Sequence, residues 1–170
     1  MNGFFLTKAN IQTVLGDLHT KIIISMDTNI VCSGALLYAL DTKRLLFLHR
    51  ANGKRSDVWG LVGGTNEGKE TPWEGLRREI TEEIGVVNIK KTVPLETFVS
   101  NDSKFQFHTY LCIIDSEFIP TLNNEHNGYA WCSFGKWPKP LHYGLQNTLN
   151  KKVNLAKLKT VFEVIDLLDK

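Results

Sequence analysis

Three glutamates near the middle of the chain, Glu79, Glu82 and Glu83, have the spacing of neighbours on one face of an α-helix. Carboxylates crowded on one helical face repel each other, at a cost of roughly a few tenths of a kcal/mol per pair. A divalent cation would relieve this repulsion, because Mg²⁺ binds carboxylate oxygens together with water and substrate phosphates. The spacing therefore indicates a metal site, although an exposed acidic helix face would show the same pattern.

Residues around these glutamates favour the metal site. Gly63 and Gly64 end a predicted strand, and glycine lets the backbone approach a ligand closely. Glu70 stands just before the predicted helix. Arg78 precedes Glu79, where its guanidinium group can hold a carboxylate by a charged hydrogen bond. Taken together, these residues point to an acidic helix that is held against a glycine-ended strand.

The full pattern resembles the Nudix box at every defined position. The preceding strand, Trp59–Gly64, also resembles the family, except that Val62 stands where many members have proline. The resemblance extends from Ile22 to about Leu149 and implies an α/β/α sandwich around a mixed sheet, with the box as a loop–helix–loop. The residues that carry it are Gly64, Glu70 and the run Arg78-Glu79-Ile80-Thr81-Glu82-Glu83-Ile84-Gly85-Val86.

This resemblance also implies an activity. Nudix hydrolases split a pyrophosphate bond in a nucleoside diphosphate joined to another group, with water as the nucleophile. The implied metal ligands are the carboxylates of Glu79, Glu82 and Glu83 and the carbonyl oxygen of Gly63. Mg²⁺ would be the cofactor, with Mn²⁺ as an alternative.

The general base is left open by the resemblance, because family members differ in which carboxylate takes the proton from water. Glu82, Glu83 and the downstream Glu125 are the catalytic candidates. Glu125 lies in a loop ahead of a predicted strand, so a plain surface acid is its alternative interpretation. Glu70 and Arg78 would support the loop and the glutamates.

Contacts to the nucleotide are predicted from residue type and position. Arg50 directly follows a predicted strand and is the candidate phosphate-binding residue, because a guanidinium group suits phosphate oxygens. Lys54 and Arg55 in the same loop are expected to be solvated. Trp131 and Trp137 could stack on a base, although packing is the commoner use of tryptophan.

Composition sets the outer limits of function. The 170 residues suit one domain, with residues 1–20 as an N-terminal arm and 151–170 as a C-terminal helix. A net charge of +2 gives no support to a nucleic acid or membrane partner and leaves a small nucleotide substrate. No apolar run approaches the roughly 20 residues of a membrane span. Three cysteines without a CxxC pair favour reduced thiols and a cytoplasmic location.

The elements that position these residues follow from hydrophobic periodicity. The strongest helix is predicted at Pro72–Ile84, because Thr71 and Glu74 can form a capping box and Gly85 can end the helix. A mixed α/β or α+β domain results. Further helices are predicted at 10–18, 142–149 and 151–170, and strands at 21–26, 31–40, 44–49, 58–62, 92–100, 105–114 and 129–134.

Two alternatives to a hydrolase share the fold. A nucleotide sensor would usually have lost box glutamates, and a diphosphate isomerase would need a cysteine such as Cys112 or Cys132 at its site. For the hydrolase, Ser100–Lys104 lacks the proline or tyrosine that marks some substrate classes. Nucleoside triphosphates and nucleotide sugars are therefore favoured over ADP-ribose and dinucleoside polyphosphates. A homodimer paired through strand 21–26 remains an alternative to a monomer.

Overall fold

A computed structural model describes residues 29–51 and 56–168 of the chain. The predicted N-terminal arm, the helix at 10–18 and the strand at 21–26 lie outside the described residues. The same holds for Lys54 and Arg55. The proposed dimer contact through strand 21–26 therefore stays a prediction.

Within the described residues, seven strands form one mixed sheet. Strand β1 lies at its centre and runs parallel to β6 over its whole length, from the pair Ile30–Phe105 to the pair Ala39–Ile114. Its other neighbours, β2 and β4, are antiparallel. The strands are β1 (Ile30–Ala39), β2 (Arg44–Arg50), β3 (Trp59–Gly60), β4 (Val62–Thr65), β5 (Lys91–Val99), β6 (Phe105–Ile114) and β7 (His126–Ser133).

The region predicted as one strand at 58–62 divides into two short strands. β3 pairs with β2, whereas β4 pairs with β1, so the chain changes its partner strand at Leu61. This change brings Gly63 and Gly64 beside the central strand, where Gly64 pairs with Ser33. The position of the glycine-ended strand is thus fixed by its pairing with β1.

Three helices complete the described fold: α1 (Pro72–Ile84), α2 (Tyr143–Asn150) and α3 (Lys152–Leu168). The bounds of α1 agree with the prediction. The hydroxyl oxygen of Thr71 accepts a bond from the Glu74 N–H at 3.3 Å, and the Glu74 carboxylate accepts from the Thr71 N–H at 2.8 Å. Gly85 ends the helix at φ 90°, a conformation that favours glycine.

Helices cover both faces of the sheet, which confirms the sandwich expected from the resemblance. Successive side chains of a strand point to opposite faces. Ala35, Leu37 and Ala39 of β1 pack with Leu76, Ile80 and Ile84 of α1. Leu36 and Tyr38 of β1 pack on the other face, with Leu145 and Leu149 of α2 and Leu158 of α3. Leu76, Ile80 and Ile84 therefore form the core-facing stripe of α1.

A Thr71→Ala variant should lose roughly 1 kcal/mol of stability, because the capping hydroxyl is removed from the start of α1. Urea unfolding followed by circular dichroism measures the loss. Thr81→Ala is the matched control, since Thr81 is an exposed threonine inside the same helix. If Thr71→Ala and Thr81→Ala are equally stable, the cap contributes nothing and the prediction is wrong.

The cysteines are unpaired: Cys32 and Cys112 are buried, and Cys132 is half-buried. Burial raises the pKa of the Cys112 thiol to about 12, so the thiol stays protonated. Of the helices described between residues 29 and 168, none has the length and apolar character needed to cross a membrane.

Candidate active site

Arg78 organises the acidic face of α1. Its Nε donates to Glu70 at 3.0 Å, and its Nη1 donates to Glu79 at 3.0 Å and to Glu82 at 3.1 Å. Its Nη2 donates to the Thr65 carbonyl at 2.9 Å and to the second oxygen of Glu70 at 3.2 Å. One guanidinium group therefore ties the helix to the end of β4 and holds three box glutamates, Glu70, Glu79 and Glu82.

These contacts also shift the charge state of the acids. The hydrogen bond from Arg78 holds the pKa of Glu70 below its ordinary value. Burial raises the pKa of Glu79, and the bond from Arg78 opposes that shift. Glu82 is more solvated, with a side chain that is 54% exposed.

Glu83 is the buried member of the acidic face, with a side chain that is 5% exposed. Its Oε2 accepts a hydrogen bond from the Gly63 N–H at 2.7 Å. Its Oε1 lies 3.8 Å from Nε2 of His126, which is itself buried. Burial, together with the neighbouring carboxylates of Glu79 and Glu125, raises the pKa of Glu83 to about 8. Without a nearby cation, the Glu83 carboxyl therefore keeps its proton at neutral pH.

The two glycines of β4 are needed for close approach. Gly63 has a φ of 142°, and a Cβ there would lie 2.1 Å from the Ser33 carbonyl oxygen. A Cβ at Gly64 would lie 2.5 Å from the Glu79 carboxylate and would displace it. Gly63 therefore allows the close approach of β4 to β1, and Gly64 allows the close approach of β4 to the acidic face of α1.

A cavity of about 330 Å³ opens between β4, α1 and the loop before β7. Gly63, Glu79, Glu83, Glu125 and Arg50 all line it, so five of the sequence-predicted site residues meet there. Glu82 is not among the described lining residues, and its carboxylate is bound to Arg78.

Asn123 positions Glu125 in this cavity. Its side-chain oxygen accepts from the Glu125 N–H at 3.0 Å and contacts Nδ1 of His126 at 3.1 Å. Nη2 of Arg50 lies 4.0 Å from Glu125 across the cavity. The loop thus brings a carboxylate from outside the box toward Glu79 and Glu83.

The donor chemistry of the cavity fits a divalent cation. Carboxylate and carbonyl oxygens are the ligands that Mg²⁺ and Mn²⁺ accept, and the raised pKa of the buried Glu83 marks a place where a positive charge is favourable. Among residues 29–51 and 56–168, no three acidic, His or Cys side chains are already gathered around one point. Arg78 holds Glu79 and Glu82, while the Gly63 N–H holds Glu83.

A second, larger cavity of about 600 Å³ adjoins the first on the face of the sheet that carries α2. Cys32, Arg50, Gly63 and Phe107 line both cavities. The walls of the larger one are mostly apolar, with an aromatic row of Phe98, Phe105 and Phe107 whose neighbouring ring centroids lie 6.2 and 6.5 Å apart. We call this cavity the aromatic cleft.

Several residues of the site were not predicted from the sequence. His126 was assigned no role, yet it packs against Glu83, and its position directly after Glu125 was an available signal. Phe105 and Phe107 alternate along β6, which places them on one face. Trp131 and Trp137, by contrast, are packing residues: Trp131 donates to the Phe118 carbonyl at 3.2 Å, and Trp137 contacts Phe47 and Phe134.

Comparison with known proteins agrees with this geometry. A family model described as the NUDIX domain matches residues 31–151. A dihydroneopterin triphosphate diphosphatase of Haemophilus influenzae is 32% identical, over 59% of this chain and 72% of that protein.

Two solved structures share the fold. The NUDIX domain of Shewanella oneidensis NrtR, complexed with ADP ribose, has a TM-score of 0.63 at 17% identity and covers 91% of this chain and 99% of that one. A C. elegans Ap4A hydrolase has a TM-score of 0.59 at 19% identity and covers 78% and 98%. At these identities the likeness extends to the fold alone.

Proposed function

Since the chain belongs to the Nudix family and is a pyrophosphohydrolase, we propose that Mg²⁺ supports its activity and that its substrate is a small nucleoside diphosphate or triphosphate derivative. Nucleoside triphosphates and nucleotide sugars are the favoured substrates, and Mn²⁺ could replace Mg²⁺ as the cofactor. We further propose that the chain forms a single domain and works in the cytoplasm, where its unpaired thiols would stay reduced.

The observation that carries this proposal is the junction of the two cavities. One is acidic and small, and the other is apolar and large enough for a heterocycle with its sugar. A phosphate chain in the acidic cavity would extend past Phe107 and Arg50 and place its ring in the aromatic cleft. Such a two-part site suits an anionic chain joined to an aromatic ring.

Arg50 is suited to the phosphate at this junction. Among the described residues, its Nε is the buried side-chain nitrogen without a hydrogen-bond partner. Leaving such a donor unpaired costs about 1–3 kcal/mol. A phosphate oxygen would satisfy it, and a guanidinium group can bind phosphate through two parallel bonds. The arrangement supports the role expected for Arg50.

The carboxylates divide between holding the cation and moving the proton. We assign Glu79, Glu82 and Glu83, with the Gly63 carbonyl, to the cation. When bound, the cation would neutralise phosphate charge and lower the pKa of the attacking water. Of the three base candidates, Glu125 is best placed. It lines the acidic cavity, and its carboxylate is not bound by Arg78, which holds Glu82, or by the Gly63 N–H, which holds Glu83. It would take the proton from water at its carboxylate oxygen.

The Haemophilus relative suggests a specific member of the triphosphate class. Its name states that it acts on dihydroneopterin triphosphate, which also joins a triphosphate to a fused heterocycle. We therefore add this compound to the candidate substrates. ADP-ribose and dinucleoside polyphosphates remain less favoured as substrates, because the solved structures whose names mention ADP ribose or Ap4A share the fold at under 25% identity.

Turnover of a substrate panel tests the proposal. The panel contains nucleoside triphosphates, dihydroneopterin triphosphate, nucleotide sugars, ADP-ribose, a dinucleoside polyphosphate and capped RNA, each with Mg²⁺, with Mn²⁺ and with EDTA. We expect metal-dependent release of pyrophosphate or phosphate from a triphosphate and no turnover in EDTA. Turnover that survives EDTA would contradict the metal assignment.

The two alternatives have their own outcomes in the same assay. Nucleotide binding by folded protein without any turnover would favour the sensor. The isomerase role considered for Cys112 or Cys132 finds no support, because neither residue is among those described as lining the two cavities.

A further inference from the structure

One wall of the aromatic cleft carries a charged side chain that the hydrolysis of phosphate does not use. Glu96 lies on β5, where the pairing with β6 is irregular between Pro94 and Glu96. Its side chain is 11% exposed and lines the cleft together with Phe98. A carboxylate in a mostly apolar wall is costly unless it is paired, so its presence calls for an explanation.

Three polar side chains hold Glu96 in its ionised form. Lys151 donates to Oε1, the Asn154 side-chain nitrogen donates to Oε2 at 2.9 Å, and Thr148 contributes a further hydrogen bond. Burial raises the pKa of Glu96, but these bonds outweigh burial and lower it overall. An ionised carboxylate has about four acceptor positions. The three donors therefore leave at least one acceptor position that a ligand can use.

The position of Glu96 relative to the phosphate site is as informative as its charge. Arg50 and Gly63 mark the end of the cleft that joins the acidic cavity, whereas Glu96, Lys151 and Thr148 lie where β5 meets the end of α2. Across the sheet, Gly63 pairs with Gly34, Gly34 with Thr109, and Thr109 with Glu96. Phe107 is the next residue of β6 on the same face as Thr109. A flat ring stacked on Phe107 would present its outer edge to Glu96.

We propose that Glu96 is a specificity-determining residue that accepts a hydrogen bond from the exocyclic amino group of an amino-lactam edge, as found on guanine and on pterins. This edge carries a ring N–H beside an exocyclic amino group, so both groups are donors. Adenine offers an acceptor nitrogen in the place of the ring N–H and suits a carboxylate less well. The inference rests on the proposed function, because it assumes that the ring of the substrate occupies the aromatic cleft.

A purely structural role for Glu96 makes a different prediction. Glu96 links β5 to the junction of α2 and α3 through its bond with Asn154. Lys157 of α3 makes a similar link, because its Nζ donates to the Leu95 carbonyl of β5 at 3.0 Å. Lys157 is not part of the described cleft wall. A Lys157→Met variant therefore loosens the same junction without removing the acceptor, and it serves as the matched control for Glu96→Gln.

The test compares GTP with ITP, whose base lacks the exocyclic amino group and is otherwise the same. In the wild-type protein we expect kcat/KM for GTP to exceed that for ITP by about 10- to 100-fold, because a hydrogen bond to a charged group is lost with ITP. In Glu96→Gln the ratio should fall toward one, because turnover of GTP should fall more than turnover of ITP. Lys157→Met should keep the wild-type ratio. Dihydroneopterin triphosphate, which has the same edge as GTP, distinguishes a pterin from a guanine substrate.

Binding of GMP and IMP, measured by calorimetry, separates this inference from the proposed function. If no triphosphate is hydrolysed but GMP binds more tightly than IMP and Glu96→Gln removes the difference, the hydrolysis proposal fails and the role of Glu96 stands. If triphosphates are hydrolysed without a preference for GTP over ITP, the inference is overturned and the proposed function stands. If Glu96→Gln lowers kcat/KM equally for GTP and ITP, Glu96 is only a structural link and the inference is overturned. Equal binding of GMP and IMP without hydrolysis would also overturn it.

Discussion

A Glu83→Gln variant is expected to lose most of the activity and, without metal, to unfold at a higher temperature than the wild-type protein at pH 8. Gln keeps the shape of the side chain and an oxygen that can accept from the Gly63 N–H, but it carries no charge. Removal of a ligand charge should lower kcat on the order of 10³-fold, equivalent to about 4 kcal/mol. The stability should rise because an ionised carboxylate that is 5% exposed lacks most of its hydration.

The gain in stability has a defined pH dependence. The pKa of Glu83 is raised from 4.5 to about 8 by burial and by the carboxylates of Glu79 and Glu125. In the unfolded chain the group loses its proton near pH 4.5, whereas in the fold it keeps the proton until about pH 8. The metal-free wild-type protein therefore loses stability as the pH rises through this window. Glu83→Gln avoids that loss, so its advantage should grow from near zero at pH 4 to roughly 2–4 kcal/mol at pH 8.

Thermal unfolding in EDTA at several pH values measures this advantage. Glu82→Gln is the matched control, because Glu82 belongs to the same helical face but is 54% exposed. Glu82→Gln should lose activity without gaining stability. Saturating Mg²⁺ should raise the Tm of the wild-type protein and so reduce the difference in Tm between the wild-type protein and Glu83→Gln. Wild-type activity in Glu83→Gln would show that Glu83 is not needed for the reaction. Equal Tm values for Glu83→Gln and the wild-type protein at pH 8 would show that the Glu83 carboxylate is not desolvated.

An Arg78→Lys variant is expected to lower kcat by about 10- to 100-fold at ordinary metal concentration. The guanidinium group of Arg78 binds Glu70 through two bonds and also contacts Glu79, Glu82 and the Thr65 carbonyl. The ammonium group of lysine is a compact point charge and cannot make all of these hydrogen bonds at once. Glu79 and Glu82 would then sample more positions, which weakens their hold on a cation.

Metal titration distinguishes this cause from a general loss of structure. In Arg78→Lys, the concentration of Mg²⁺ at half-maximal activity should rise, and excess Mg²⁺ should restore part of kcat. Arg77→Lys, a change at the exposed neighbour on the same helix, should match wild type in both respects. An unchanged metal requirement in Arg78→Lys would mean that Arg78 does not position the ligands.

The sequence by itself was sufficient for helix α1. Its start at Pro72, its capping box at Thr71 and its end at Gly85 are encoded within one helical turn of each terminus, so no distant contact is needed to specify them. The spacing of Glu79, Glu82 and Glu83 likewise follows from the helical period. The bounds of β6 were also predictable, because a long run of strand-forming residues needs little help from its neighbours.

Only the tertiary structure decided which distant residues meet. Glu125 reaches the acidic cavity because β7 pairs with β2, and that pairing depends on residues about 80 positions apart, as in the pair Leu48–Tyr129. The division of 58–62 into β3 and β4 depends on two different partner strands. Periodicity within one segment contains no information about either choice.

The aromatic cleft shows the same limit most clearly. Phe98, Phe107, Glu96 and Lys151 come from β5, β6 and the end of α2, and no motif in the sequence connects them. Their meeting depends on side-chain packing across the sheet and on the position of α2 over it. The sequence therefore determined the acidic helix and its chemistry, since these are local. The packing of strands and helices decided what else faces the substrate, because long-range pairing brings together residues that local geometry leaves independent.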